Sequence, residues 1–142
     1  ISNDYEPASR RLIVDYLSAH NIEENLARHV APRRPFLSRT VATCDSAELA
    51  ALSDIEDVSR MVKQIERDSK GVPILLKQYL KLGGRLLAFS ADEDFNDALD
   101  GLIMVDLRAS DPRVLARYLG EEGAAAFLSH HGIGADTLRQ AS

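Results

Sequence analysis

The stretch GVPILLKQYLKLGGRLLAF, residues 71 to 89, holds the densest run of apolar residues in the chain, interrupted by Lys77, Gln78, Lys81, Arg85 and three glycines. Three roles suit such a run: a membrane span, the core of a soluble domain, or one wall of a site for a greasy substrate. A transmembrane helix needs about 20 apolar residues without charges, and this run has neither the length nor the purity. On a helical wheel of about 100° per residue, Leu75, Leu76, Tyr79, Leu80 and Leu82 share one broad face, and Lys77, Gln78 and Lys81 share the other. Pro73 opens this helix and Gly83-Gly84 stops it. Arg85 to Ala91 then has strand character, Leu99 to Leu107 reads as a second strand, and the polar loop DEDFNDA joins them.

The flanking sequence is helical by its punctuation. Asn3 or Asp4 followed by Pro7 marks a helix start, and the helix runs to about Ala19 with Leu12, Ile13, Tyr16 and Leu17 on one stripe. A shorter helix spans about Glu23 to Val30, after which the prolines of APRRPF enforce an extended connection. Residues 31 to 46 read as the irregular stretch of the chain. Asp45 or Ser46 caps a short helix to about Leu52. Ser53-Asp54-Ile55-Glu56 reads as a capping box opening a helix to about Ser69, which buries Ile55, Val58, Met61, Val62 and Ile65 and ends at Gly71. Asp111-Pro112 starts a helix through Leu119 closed by Gly120, Glu121 to His131 makes the last helix, and residues 133 to 142 read as a fraying tail. The pattern predicts one α+β domain over residues 1–142, mostly helical with one antiparallel β-hairpin. Within it, residues 1–70 form a helical segment, residues 71–107 the helix and hairpin, and residues 108–132 the C-terminal helices.

At 142 residues and 15.6 kDa such a domain buries a core without staples. Cys44 is the single cysteine, so no intramolecular disulfide forms; the chain fits a reducing cytoplasm, and Cys44 reads as a small half-buried apolar residue rather than a catalytic thiol. With 22 acids against 17 bases the net charge of -5 argues against nucleic acid as the main partner. His20 and His29 stand alone, and His130-His131 point about 100° apart on a helix, so no metal site is expected. The start ISNDYEP has no Met and no signal segment, which suggests a piece of a longer polypeptide with its catalytic centre partly elsewhere.

The loop DEDFNDALD gathers Asp92, Glu93, Asp94, Asp97 and Asp100 and begins like a calcium loop. Asp97 stands where that loop needs glycine, however, and Ile103 where it needs a bidentate glutamate. The loop therefore reads as a solvated acidic turn or a contact for an amine. Tyr79 with Lys77 and Lys81 suits a general acid beside anion contacts, or a core tyrosine with snorkelling lysines. No nucleophile elbow, phosphate-cradling glycine loop or serine triad is present.

Taken together, ISNDY, PRRPF at 32 to 36, GVPILLKQYLKLGGRLLAF, DEDFNDALDGLIMVDL and DPRVLARYLG resemble the C-terminal region of a family of bacterial proteins that bear the name hemolysin. That family is a branch of the GNAT-type acyltransferases related to ornithine-lipid N-acyltransferases. The similarity runs from Ile1 to about Gly132. It implies the C-terminal portion of a GNAT-like fold, and transfer of a long acyl chain from acyl carrier protein or acyl-CoA to an amine in membrane lipid synthesis. No cofactor is expected on this chain, because the pantetheine-pyrophosphate loop of such relatives lies upstream of the matching region; the chain alone is therefore expected to be inactive. The resemblance places Ser2, Asn3 and Tyr5 toward the acyl donor. It makes Tyr79 and Asp94 the catalytic candidates, with Lys81 and Asp97 toward the acceptor and Leu75, Leu76, Leu80 and Phe89 as a wall for the acyl chain. Implied partners are the upstream portion of the polypeptide, the acyl donor, a lipid surface at the inner membrane, and a second copy covering the edges of the hairpin in a homodimer. A non-catalytic partner- or lipid-binding module fused to an acyltransferase is the alternative. Nothing in the sequence looks like a pore former.

Overall fold

The computed structural model describes residues 1–36 and 51–133. Five helices and one antiparallel hairpin make up these residues: α1 (Pro7–His20), α2 (Glu24–Ala27), α3 (Ile55–Ile65), α4 (Ile74–Lys81), β1 (Arg85–Asp92), β2 (Ala98–Met104) and α5 (Pro112–His130). The architecture is α+β and mostly helical, as the pattern predicts. The reading of Cys44 and the helix expected from Asp45 or Ser46 fall largely outside the described residues, as does the tail beyond Ile133.

The main core forms where the stripe of α1 meets α3 and the hairpin. Leu12, Ile13, Tyr16 and Leu17 are buried with Val58, Val62, Val72 and Leu86. Burying a Leu- or Ile-sized side chain contributes about 1.5–3 kcal/mol, so this cluster is the main favourable term in the fold. A second, smaller cluster of Leu115, Ala124 and Leu128 lies within α5, whose two arms meet at Gly120 (φ 75, ψ 162).

Helix ends depart from the local reading in instructive ways. Neither Asn3 nor Asp4 caps α1: Glu6 occupies the N-cap without a side-chain bond, and Pro7 follows it. The Glu6 N–H donates instead to Oε1 of the buried Glu66 carboxylate at 2.9 Å. An anion beside free N–H groups at a helix start is favourable twice over, by hydrogen bond and by dipole. At α3 the box is shifted by one residue. Asp54 is the N-cap and accepts from the N–H of Glu56 and Asp57, while Asp57 reaches back to the N–H and hydroxyl of Ser53. Those two bonds from Ser53 hold the Asp57 carboxyl below its usual range.

Helix α3 ends at Ile65, four residues before Ser69, because Glu66 turns out of the helix to serve α1 and Ser69 takes a left-handed conformation. Ile65 is consequently exposed, and Met61 and Ile55 are half-buried. Gly71 is therefore not a helix stop. A Cβ there would lie 2.3 Å from Ser59 Oγ, the atom that accepts the Val72 N–H, so glycine lets the chain cross α3 at close range. The helix expected over Glu23–Val30 shortens to α2, as bonds from His29 to Leu26 and from Val30 to Ala27 tighten its end into a turn.

Strands β1 and β2 pair from Arg85↔Met104 to Asp92↔Ala98, with a bulge between Leu86 and Ala88. The outer edge of β1 is not bare. Leu86 accepts from the Glu23 N–H and donates to Asn21 O, both at 2.9 Å, in a parallel bridge. Further along, Ala91 donates to Arg34 O at 3.0 Å and Phe89 accepts from the Phe36 N–H at 3.4 Å, so the extended APRRPF segment lies along the strand. Strand β2 stops at Met104, short of Leu107, because Asp106 caps a 3-10 turn over Leu107–Ala109.

Replacing Glu66 with Gln is expected to lower stability by about 1–2 kcal/mol, since a charge-assisted bond becomes a neutral one at the start of α1; the urea midpoint measures it. Bonds from the Arg108 side chain and backbone hold the Asp106 carboxyl at about 2, below its ordinary 3.8. Its contribution to stability is thus complete above the ordinary value and lost as pH falls toward 2. Arg108→Ala is expected to return Asp106 toward 3.8, read from the carboxyl carbon-13 shift.

Candidate functional site

Alternation along β2 puts Leu99, Gly101 and Ile103 on one face of the hairpin, and their partners Ala91, Phe89 and Leu86 share it. Helix α4 leans over that face. Between them lies an apolar pocket of about 190 Å³, lined by Ile1, Leu17, Pro73, Leu75, Leu76, Tyr79, Leu86, Phe89, Leu99, Gly101 and Ile103. The room above the hairpin exists because residue 101 has no side chain: a Cβ there would meet Leu86 Cδ2 at 3.1 Å and the Phe89 ring at 3.6 Å. An apolar cavity of about 150 Å³ is large enough for benzene, so this one accommodates a ring or a short run of methylenes.

Of the residues expected to wall an acyl chain, Leu75, Leu76 and Phe89 line this pocket. Leu80 does not line it and packs against the main core. Of the alternatives left open for α4, a core helix with a core Tyr79 does not hold. No residue of α4 is buried: Ile74 is 74% exposed, Leu75 64% and Tyr79 39%, and of its apolar residues Leu76 and Leu80 are half-covered. The hairpin covers one side of the apolar face and leaves the N-terminal turn bare. Lys77 pairs with Glu56 at 3.2 Å, and Lys81 points to solvent.

The acidic loop lies apart from the pocket. Asp92, Glu93, Asp94 and Asp100 line a polar recess with Arg33 and Arg34, where Arg34 pairs with Glu93. Asp92 Oδ1 accepts from the Asp94 N–H at 3.0 Å, closing a 3-10 turn over Glu93–Phe95. Asn96 and Asp97 then both take left-handed conformations, which short polar side chains tolerate. Tyr79 and Asp94, the two catalytic candidates, thus line different recesses. Among the described residues no three His, Cys, Asp or Glu side chains are grouped to hold a metal ion.

The N-terminal candidates are occupied by internal bonds. Ser2 Oγ donates to Asp4 at 2.9 Å, Asn3 Oδ1 accepts from Arg10 at 2.6 Å, and the Tyr5 hydroxyl donates to Gly71 O at 2.9 Å. Burial pushes the Tyr5 phenol up, against the opposing pull of Lys70, whose ammonium sits 4.5 Å from the ring centre. Arg10 is the side chain that joins the two regions. Buried, it donates one terminal nitrogen to Asn3 and the other to Asp97 O at 2.6 Å, with its guanidinium 5.6 Å from the Phe36 ring centre.

Sequence reading missed Ile1, Leu17, Pro73, Leu86, Leu99, Gly101 and Ile103 as pocket residues. The i, i+2, i+4 spacing of the last three within a strand was the available signal; nothing local marks Arg10. No family model matches the chain, and searches of the curated proteins and of the solved structures return no match.

Benzene is expected to shift the methyl resonances of Leu86, Leu99 and Ile103, and Gly101→Val, which puts methyls into the pocket, is expected to abolish those shifts.

Proposed function

We propose that this chain is the acyl-chain side of a long-chain N-acyltransferase, a C-terminal portion of a GNAT-like enzyme of the kind its sequence resembles. The apolar pocket carries the reading. It gathers Leu75, Leu76 and Phe89 around the space left by Gly101, and it is open to solvent beside Tyr79. An acyl chain entering there gives up water contact for apolar contact, at roughly 25 cal/mol per Å² of surface covered.

The reaction forms an N–C bond between the acceptor amine and the thioester carbonyl of acyl carrier protein or acyl-CoA, and breaks the C–S bond. The amine loses a proton and the departing thiolate gains one. Tyr79 is the hydroxyl beside the pocket that can serve that transfer, while Lys81 lies on the opposite, solvent-facing side of the same helix. The recess lined by Asp92, Glu93, Asp94 and Asp100, which does not include Asp97, is in this reading the side from which a cationic amine acceptor approaches. Among the described residues no helix is long and apolar enough to cross a membrane; in this reading the chain works in the cytoplasm, beside the inner membrane where its product belongs. The alternative, a partner- or lipid-binding module without catalysis, draws on the bare Ile74 and Leu75 and on the separation of Tyr79 from Asp94.

A fluorescent long-chain fatty acid is expected to bind saturably and to lose at least tenfold in affinity, about 1.4 kcal/mol, in Gly101→Val; absence of saturable binding overturns the pocket reading. Acyl transfer from a long-chain acyl carrier protein to a panel of amines, in the polypeptide containing this chain, is expected to fall at least tenfold in Tyr79→Phe and in Asp94→Asn. Fatty-acid binding together with transfer untouched by both changes favours the binding module.

A further inference from the structure

The reverse face of the hairpin carries a groove of its own. The register pairs Ala88 with Leu102, Ser90 with Asp100 and Asp92 with Ala98, and alternation turns these side chains away from the apolar pocket. The segment from Val30 to Arg34 runs along one side of this face. It is held to β1 because Arg34 O accepts from the Ala91 N–H at 3.0 Å and from the Ser90 hydroxyl at 3.1 Å. Val30 and Pro32 flank an opening of about 460 Å³ floored by Ala88, Ser90, Asp100 and Leu102. The recess of about 300 Å³ between the two arginines and the acidic loop continues it, since Ser90 and Asp100 line both.

The chemistry of the groove changes in one direction. Its Leu102 end is apolar on both walls, and Leu102 is 52% exposed. Its Asp92 end holds the four carboxylates of Asp92, Glu93, Asp94 and Asp100 against the two guanidiniums of Arg33 and Arg34, so negative charge is in excess. Arg34 is already paired with Glu93. Among the described residues the carboxylates of Asp94 and Asp100 make no hydrogen bond and no ion pair.

We infer that this groove binds an amphipathic amine, with its ammonium at Asp94 and Asp100 and its hydrocarbon along Ala88 and Leu102, against Val30 and Pro32. A concave surface that is largely apolar, with a few charged groups converging at one end, is the usual form of a small-molecule site. A recess with one sign of charge in excess concentrates the opposite ion. The two ends select jointly. A purely polar amine leaves the apolar end in water, a neutral chain leaves the carboxylates without a counter-charge, and an acid meets repulsion. Four residues of strand separate Ala88 from Asp92, about 13 Å, a length that extended octylamine spans. As a binding site the groove is independent of the acyltransferase reading; as the seat of the acceptor it rests on that reading, and it names the acceptor as an amine that carries a hydrocarbon.

The test titrates octylamine into the whole chain and follows its amide and methyl resonances. Saturable shifts are expected at the methyls of Val30, Ala88 and Leu102 and at the amides of Ser90 and Asp100. Methylamine, octanol and octanoate are each expected to bind at least tenfold more weakly. Leu102→Lys, which sets an ammonium at the apolar end, is expected to lower octylamine affinity at least tenfold, as is Asp94→Asn combined with Asp100→Asn. All three positions are exposed, and unchanged methyl shifts of Leu12 and Leu17 report an intact core. No saturable shift with millimolar octylamine overturns the inference. Octanol or octanoate binding as tightly as the amine does so too, since the carboxylates would then select nothing. Shifts confined to Leu86, Leu99 and Ile103 put the chain in the apolar pocket instead and overturn it as well. Binding in the groove supports the inference with or without acyl transfer to octylamine in the polypeptide containing this chain; absence of that transfer counts against the acyltransferase reading alone.

Discussion

Leu86 is the residue on which the arrangement turns. Its side chain is fully buried and joins the stripe of α1 to the hairpin, while its backbone holds Asn21 and Glu23 against the edge of β1. A two-stranded hairpin alone is marginal in water. Here it is stable because one position is tied on three sides: to β2 through Ile103, to the chain leaving α1, and to the core beneath. The bulge directly after Leu86 follows from this, since the strand must turn its next apolar residues without loosening that anchor. The pocket lies where the sheet face continues beyond the anchor and α4 only partly covers it.

Features written in residues a few positions apart were legible in the sequence. The stripe on α1, the proline and glycine boundaries of α4, the hairpin itself and the break at Gly120 are of this kind, because spacing and backbone preference decide them. What escaped depends on distant partners. Glu66 looks like a surface residue of a helix until it is seen 60 residues away in sequence, beside the start of α1. Arg10 sits in an otherwise ordinary turn of α1 and finds Asn3 and Asp97 only through the fold. The capping box slipped by one because Asp54 and Asp57 offer the same chemistry as Ser53 and Glu56, and sequence alone does not choose between the two registers.

The exposure of α4 was not legible in the sequence for a different reason. Periodicity tells which side chains share a face and says nothing of what lies opposite. Leu75 and Leu76 are equally apolar neighbours and both line the pocket, yet Leu76 is half-covered and Leu75 is largely exposed. For the candidate site the consequence is mixed. Three of the four residues expected to wall an acyl chain do line one pocket, yet the glycine that opens that pocket carries no hydropathy signal at all.

The break at Gly120 has a consequence for how the molecule comes apart. The two arms of α5 bury Leu115, Ala124 and Leu128 against one another and, among the described residues, share no buried side chain with the main core; Ser110 reaches back to Leu82 O at 3.4 Å. Stability is therefore distributed in two units of unequal size. The C-terminal arms can open as a foldon of their own while the hairpin and α1 stay closed, and a cut in the short segment between Val105 and Asp111 would part the two units and leave the pocket intact.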